Sequence, residues 1–278
     1  MRDNMIGAVV YELEAENGER VSDAQGRLLH GALFLLLKNV NPGLAALLHD
    51  GMNVKPFSSG LLELPKGTLQ EGQDRILRAG DFVYWRIASL DSALFDALLA
   101  VPPGTRIPVG RLCLVLRRII ADSTVRSDTG VIKISKLMDT CLAVPKVHTI
   151  TFHFRSPTSF RVDKSDYPLP TPVLVFSSLA DKWIAAEMPA AIERNEIRAD
   201  AERVFPLAWQ GETRRIYLGR DRGITGFVGR FSYDVSQLDI ERQRIFLLLA
   251  RFAEFSGVGR LTAQGMGQTR MTFQQSKK

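Results

Sequence analysis

The residues of this chain best suited to chemistry are a histidine and a lysine six positions apart, His49 and Lys55. His49 precedes Asp50 at the end of a short apolar segment, PGLAALLHD, and Lys55 follows after GMNV. An imidazole titrates near neutrality and passes protons in either direction. An ammonium stabilises the negative charge that grows on a phosphorane. Without a metal cage the two form a workable set for RNA cleavage. His30 lies one helix earlier, near Leu29 and Leu33 on a partly apolar face. A lone helical histidine in that setting is ordinarily structural, and proton transfer is the alternative. His148 and His153 fall on one predicted strand and point to opposite faces, which suits structural hydrogen bonding. No histidine stands with cysteines or carboxylates at metal-ligand spacing, so no metal site and no cofactor are expected. No nucleophile elbow of the serine-hydrolase type is present either.

A second stretch, FSGVGRLTAQGMGQTR (255–270), gathers Gly257, Gly259, Gly265 and Gly267 beside Arg260 and Arg270. Glycines there permit positive φ and close backbone approach. Successive N–H groups in such a loop form an anion-binding concavity, to which arginines add charge-assisted hydrogen bonds. The loop is not a Walker A motif, because no Gly-Lys-Ser/Thr follows, and not a dinucleotide fingerprint, because it follows a helix. On these residues a tight structural turn and a phosphate site stand level.

Charge points to a partner. The chain of 278 residues carries a net +6. Residues 1–144 are balanced, with 16 Lys and Arg against 16 Asp and Glu. Residues 145–278 carry 20 against 14, and 15 of the 20 are arginine. Guanidinium forks match phosphate oxygens, so an arginine-rich half suggests a polyanionic partner, while on charge alone a solvated surface is the plainer reading. The arginines singled out as a grip are Arg214, Arg215, Arg220, Arg222 and Arg230, with Arg260 and Arg270. Strand alternation sends Arg214 and Arg215 to opposite faces. Hydrophobic residues make up 45% and charged residues 24%, a globular composition. No apolar run approaches the ~18 residues that would span a bilayer. The N-terminus meets acidic residues too soon for a secretory signal. Cys113 and Cys141 form no C-x-x-C pair and are expected as thiols in a reducing cytoplasm.

The elements that must position these residues follow from periodicity. Strands are predicted over 7–15, 57–64, 81–90 and 106–120, the last bent at Gly110, and helices over 26–38, 42–50 and 92–100. The order strand, helix, strand, strand, helix, strand is the ferredoxin-like split βαβ pattern. The second half repeats it, with strands at 147–154 and 269–273, a hairpin over 213–235 and helices over 172–186 and 239–255. The predicted fold is α+β, two tandem ferredoxin-like domains over 1–135 and 146–278, joined through the polar turn DSTVRSDTG.

Four ordered stretches carry a resemblance across most of the chain. GVGRLTAQGMGQTR resembles the glycine-rich signature loop of the RAMP superfamily, and the helix IFLLLARFAEFSG before it agrees. LHGALFLLLKNVNPGLAALLHDGMNVKPFSSGLL, FHFRSPTSF and GFVGRFSYDV resemble, in order, the catalytic segment, second-domain start and hairpin strand of CRISPR-associated endoribonucleases that cut repeat RNA from its precursor transcript. The resemblance implies two ferredoxin-like domains and metal-free chemistry. In it a ribose 2′-hydroxyl attacks the adjacent phosphate, leaving a 2′,3′-cyclic phosphate and a 5′-hydroxyl. It implies that His49, in the context Leu48-His49-Asp50, and Lys55, ahead of Pro56-Phe57, are catalytic. Where some members carry a tyrosine this chain has Phe34, and His30, one turn before it, is the natural substitute. The implied partner is the CRISPR repeat RNA of the precursor transcript, with other CRISPR-associated subunits and a homodimer as further partners. A non-catalytic RNA-binding subunit of a surveillance complex is the rival reading, and such a scaffold has no need of the His49–Lys55 segment.

Overall fold

The computed structural model describes residues 4–21, 25–50, 54–71, 74–217 and 223–275. The first half runs β1 (Met5–Ala15), β2 (Glu19–Val21), α1 (Gln25–Val40), α2 (Pro42–Asp50), β3 (Phe57–Glu63), β4 (Leu69–Glu71), β5 (Asp74–Leu77), β6 (Phe82–Ser89), α3 (Ser92–Leu99), β7 (Arg106–Val109), β8 (Leu112–Ile120) and β9 (Gly130–Lys133). Helix α4 (Ile134–Leu142) leads into the second half. That half runs β10 (Val147–Thr158), β11 (Phe160–Val162), β12 (Ser165–Tyr167), α5 (Pro172–Ala185), α6 (Arg194–Ala201), β13 (Phe205–Tyr217), β14 (Gly223–Asp234), α7 (Ile240–Ser256) and β15 (Thr269–Gln275), with a 3-10 turn at Thr262–Gln264.

Both main sheets have the ferredoxin strand order. The first runs β3-β6-β1-β8-β7, with β9 also on β1, and the second runs β13-β14-β10-β15. In each, the first strand of the repeat lies centrally and its neighbours pair antiparallel, Val10 opposite Arg86 and Ile120, and Phe152 opposite Phe231 and Met271. A central strand buries both faces, which is why β1 is buried almost throughout rather than alternating. Leu29, Leu33, Leu36 and Leu37 recur at helical spacing on α1 and close the first core over Val9, Tyr11 and Trp85. In the second core Phe176 of α5 and Phe246 of α7 meet over Phe152 and Tyr233. Local caps start the helices: Asp91 accepts from the Leu94 amide, Asp239 from the Arg242 amide, and Thr171 precedes Pro172 at the first turn of α5.

The two halves are packed together. Helix α7 covers its own sheet and also lies across β1, β3 and β6 of the first. Ile6 and Leu90 of the first half and Leu137 and Cys141 of α4 belong to the second core. Arg86 on β6 crosses the junction. Its Nε donates to the Asp128 carbonyl at 2.8 Å, Nη2 to the Glu254 carbonyl at 2.9 Å, and Nη1 to the Gln268 side chain at 3.3 Å. Burial pushes this guanidinium down to about 10. The Asp128 carboxyl is raised by its own burial, yet Arg126, Arg155 and Arg86 together hold it down to about 2.

Two expected elements are corrected. Residues 106–120 form not one bent strand but the hairpin β7–β8, because Gly110 adopts φ of 66° and reverses the chain. Strand β13 begins at Phe205, well before the expected hairpin, and pairs with β14 throughout.

Candidate active site

Helix α1 faces the core with its leucines, and this leaves His30 and Phe34, four apart, on the flank that meets α2 and β3. The His30 and Phe34 rings lie 5.0 Å apart, and His30 stacks on Phe57 of β3 at 5.9 Å. Phe34 in turn meets the His49 ring edge-on at 5.6 Å. The two imidazoles thus flank one phenyl ring. His49 is exposed at the end of α2, and His30 is half-buried.

Lys55 serves the same place. Its Nζ donates to the carbonyls of Leu48 (2.6 Å) and His49 (3.2 Å), capping the C-terminal end of α2, where carbonyls lack helical partners and the dipole favours a cation. Two of its three N–H groups are so used, and one remains. His49, His30 and Lys55 are therefore brought together by the α1–α2 turn and the start of β3.

His30 has a defined tautomer. Its Nδ1 lies 3.1 Å from the Ala263 carbonyl, an acceptor only, so Nδ1 carries the proton and Nε2 the lone pair. Burial lowers the His30 pKa; the Ala263 hydrogen bond opposes this, and the charges of Lys55 and His49 lower it further. Burial and the neighbouring charges thus favour the neutral ring.

Ala263 belongs to the glycine-rich loop, which the fold wedges between the domains. The loop's 3-10 turn lies against α1 and β3, and a Cβ at Gly26 of α1 would strike the Gln264 carbonyl. Gly257, Gly265 and Gly267 are buried in this packing, and of the four only Gly259 borders a cleft. Gly257 ends α7 with φ of 65°. Arg260 is ion-paired with Asp166 of β12, and Arg161 shares that carboxylate. The loop rests on Lys182 of α5, whose buried Nζ donates to the carbonyls of Ser256 (3.1 Å) and Gly257 (2.9 Å) and to the Thr262 hydroxyl (3.2 Å).

A cleft of about 760 Å³ opens between the domains beside these groups, bordered by His30 and Lys55 on one side and by Arg161, Arg194, Arg198 and Arg260 on the other. The remaining arginines lie elsewhere. Arg214, Arg215 and Arg270 border a second cleft of about 270 Å³ together with Arg155. There Arg214 pairs with Glu212 and Arg215 stacks over Tyr217, each with its same-face neighbour two residues away. Arg230 is exposed on β14, and it and Arg270 flank His153 from the two neighbouring strands. Arg220 and Arg222 lie outside the described residues. The basic residues therefore divide between two faces of the interdomain junction rather than forming one patch. Sequence reasoning missed Arg155, Arg161, Arg194, Arg198 and Lys182. For Lys182 a signal existed, since it falls beside the apolar residues Leu179, Ala180 and Trp183 of α5.

Among the described residues no group of three His, Cys, Asp or Glu side chains is placed to hold a metal ion. No helix among them is long and apolar enough to cross a membrane.

Comparison with known proteins bears on this site. The family model described as CRISPR-associated endoribonuclease Cas6 matches residues 152–269, and that described as the CRISPR Cas6 N-terminal domain matches residues 8–102. Among solved structures, a Cas6 (TTHB231) product complex is 29% identical with a TM-score of 0.77, covering 96% of this chain and 99% of that one. Thermus thermophilus Cas6 (TTHB231) itself is 28% identical, with a TM-score of 0.72 and coverage of 97% and 99%. A Cas6 (TTHA0078) product complex is 26% identical, with a TM-score of 0.74 and coverage of 96% and 99%. No curated protein sequence matches the chain.

Proposed function

Because the chain belongs to the Cas6 family of CRISPR-associated endoribonucleases, which process the repeat RNA of precursor transcripts, we propose that it cuts that RNA without a metal ion, using His30, His49 and Lys55. The observation that carries the reading is the row of rings His30–Phe34–His49 with the Lys55 ammonium at the same helix end. Two imidazoles can supply both the base that takes a proton from the nucleophile and the acid that gives one to the leaving group.

In this mechanism the neutral His30, its Nδ1–H held by Ala263, takes the 2′-hydroxyl proton on Nε2. The ribose oxygen attacks the adjacent phosphorus. Charge grows on the non-bridging oxygens, and the remaining N–H of Lys55 stabilises it. His49 as imidazolium protonates the departing 5′-oxygen. The products are a 2′,3′-cyclic phosphate and a 5′-hydroxyl. Phe34 has no exchangeable proton, so it spaces the two imidazoles and excludes water between them. Arg161, Arg194, Arg198 and Arg260 line the cleft in which the RNA backbone lies.

The pH dependence of single-turnover cleavage tests the role of His30. A base acts only when deprotonated. Burial and two neighbouring cationic groups lower the His30 pKa, so the acid limb of the profile should fall below the ordinary imidazole value of about 6.5. The His30→Ala variant should be slow and lack that limb. A limb centred above that value, or one that persists in His30→Ala, would remove His30 from the base role.

A further inference from the structure

Lys182 sits on the opposite domain from the imidazoles, touches neither, and is one of the most deeply buried charged groups in the protein, with 7% of its surface exposed. Its ammonium has no carboxylate partner among the described residues. Burial pushes its pKa down to about 7. A methionine would fill the same space between Leu179 and Trp183 without that desolvation cost, so packing alone does not account for a lysine here. The polar contacts do. One Nζ gathers the two ends of the glycine-rich loop: the Ser256 and Gly257 carbonyls, where α7 stops, and the Thr262 hydroxyl, where the 3-10 turn starts.

We propose that Lys182 is a positioning residue for cleavage: by cinching the glycine-rich loop from below, it sets the Ala263 carbonyl that fixes the tautomer and orientation of His30. The proposal rests on the catalytic reading of His30. The chain of contacts is short. Lys182 holds Thr262, the next residue is Ala263, and its carbonyl accepts from His30 Nδ1–H. Of the loop's other anchors, the Gln268 side-chain amide reaches the Thr262 carbonyl at 3.5 Å, and the rest act further away. Gly259 N–H donates to the Ser178 hydroxyl, Arg260 N–H to the Ser159 carbonyl and Gly267 N–H to the Pro157 carbonyl. They attach the loop to the second domain but leave the 256–262 closure to Lys182. Gln264, on the far side of Ala263, is backed by Gly26 of α1. The loop thereby carries the position of α5 in one domain to an imidazole in the other, and the glycine-rich signature acts on the reaction through its backbone as well as through any contact with RNA.

The test is Lys182→Met, studied in the full chain by two readouts. Cleavage at saturating repeat RNA should slow by between about tenfold and 10²-fold while RNA affinity stays within about twofold, the pattern of a misplaced catalytic group. In long-range nitrogen–proton NMR spectra, the His30 ring should change from the single Nδ1–H tautomer to a mixture. A merely structural lysine would lower the melting temperature and leave both readouts in place, and that result would overturn the proposal. Should Lys182→Met not fold, Thr262→Val removes only the acceptor beside Ala263 and should move the same two readouts in the same direction; no movement there overturns it equally. The NMR readout is independent of the catalytic reading. If His30→Ala cuts at the normal rate, His30 is not catalytic, and the tautomer shift alone still decides whether Lys182 sets the ring.

Discussion

Replacing His49 with alanine is expected to slow repeat-RNA cleavage at saturating RNA by about 10²–10⁴-fold, the usual worth of one proton-transfer group. RNA affinity should hardly change, because His49 stands at a helix end beside Phe34 and outside the arginine-lined cleft wall. Stability should hardly change either. His49 is exposed, and exposed positions away from caps and cores usually shift stability by no more than about 0.5 kcal/mol. The cap on α2 survives the substitution, since Lys55 donates to the backbone carbonyls of Leu48 and His49 rather than to the ring. A rate loss with intact folding and intact binding therefore isolates chemistry. Undiminished cutting by His49→Ala would reject the assignment of His49 as a proton-transfer group.

The second large effect concerns the junction that holds the two half-sites in register. Arg86→Met should lower the free energy of unfolding by about 3–5 kcal/mol, the cost of breaking a buried charged network from one side. The guanidinium is buried, and its three hydrogen bonds tie β6 to the Asp128 turn, to the end of α7 and to Gln268 just past the glycine-rich loop. A methionine of similar length leaves the Asp128 and Glu254 carbonyls without that donor. Urea unfolding of the two proteins measures the difference, and a loss below about 1 kcal/mol would show that the junction is held by the apolar packing of α7 instead. The pH dependence of the same network has a definite sign. The Asp128 carboxyl is held at about 2, below its ordinary 3.8, so its contribution is fully present above 3.8 and is lost as pH falls through about 2.

Much of this protein can be read in the letters, for physical reasons that differ by element. The helical leucine spacing of α1 predicts that helix well, because one buried face imposes a period, whereas β1 is found from alternating letters although both of its faces are buried over most of its length. The 42–50 helix was marked by Asn41 and Pro42, and the Asn41 side chain does accept from the Leu44 amide at 3.1 Å. Gly110 was legible as a breaker but not as a reversal: its φ of 66° depends on β7 finding β8 as an edge partner. Helix α4 is not among the predicted elements, because its apolar face of Ile134, Leu137 and Cys141 is narrow and gains meaning only against α7. The start of β13 was missed because an edge strand exposed on both faces has no buried period to betray it. In the site, His49 and Lys55 stand out by residue type and spacing, whereas His30 on its own residues reads as structural and joins them only through the family resemblance. What spacing cannot give is contact across 233 positions, such as His30 to Ala263, or the burial that puts an ammonium under the loop. The loop's glycines left a turn and a phosphate site level. Three of them are buried in packing, and the loop meets the His30 ring through the Ala263 carbonyl.

We propose that imidazoles and an ammonium let a ribose hydroxyl break its own strand. It is tested most directly by incubating the purified protein with a synthetic repeat RNA in excess EDTA and weighing the fragments by mass spectrometry. Cutting at one site is expected, with a 2′,3′-cyclic phosphate on the upstream fragment and a 5′-hydroxyl on the downstream one. Loss of cutting in EDTA, or fragments ending in a 3′-hydroxyl and a 5′-phosphate, would contradict it.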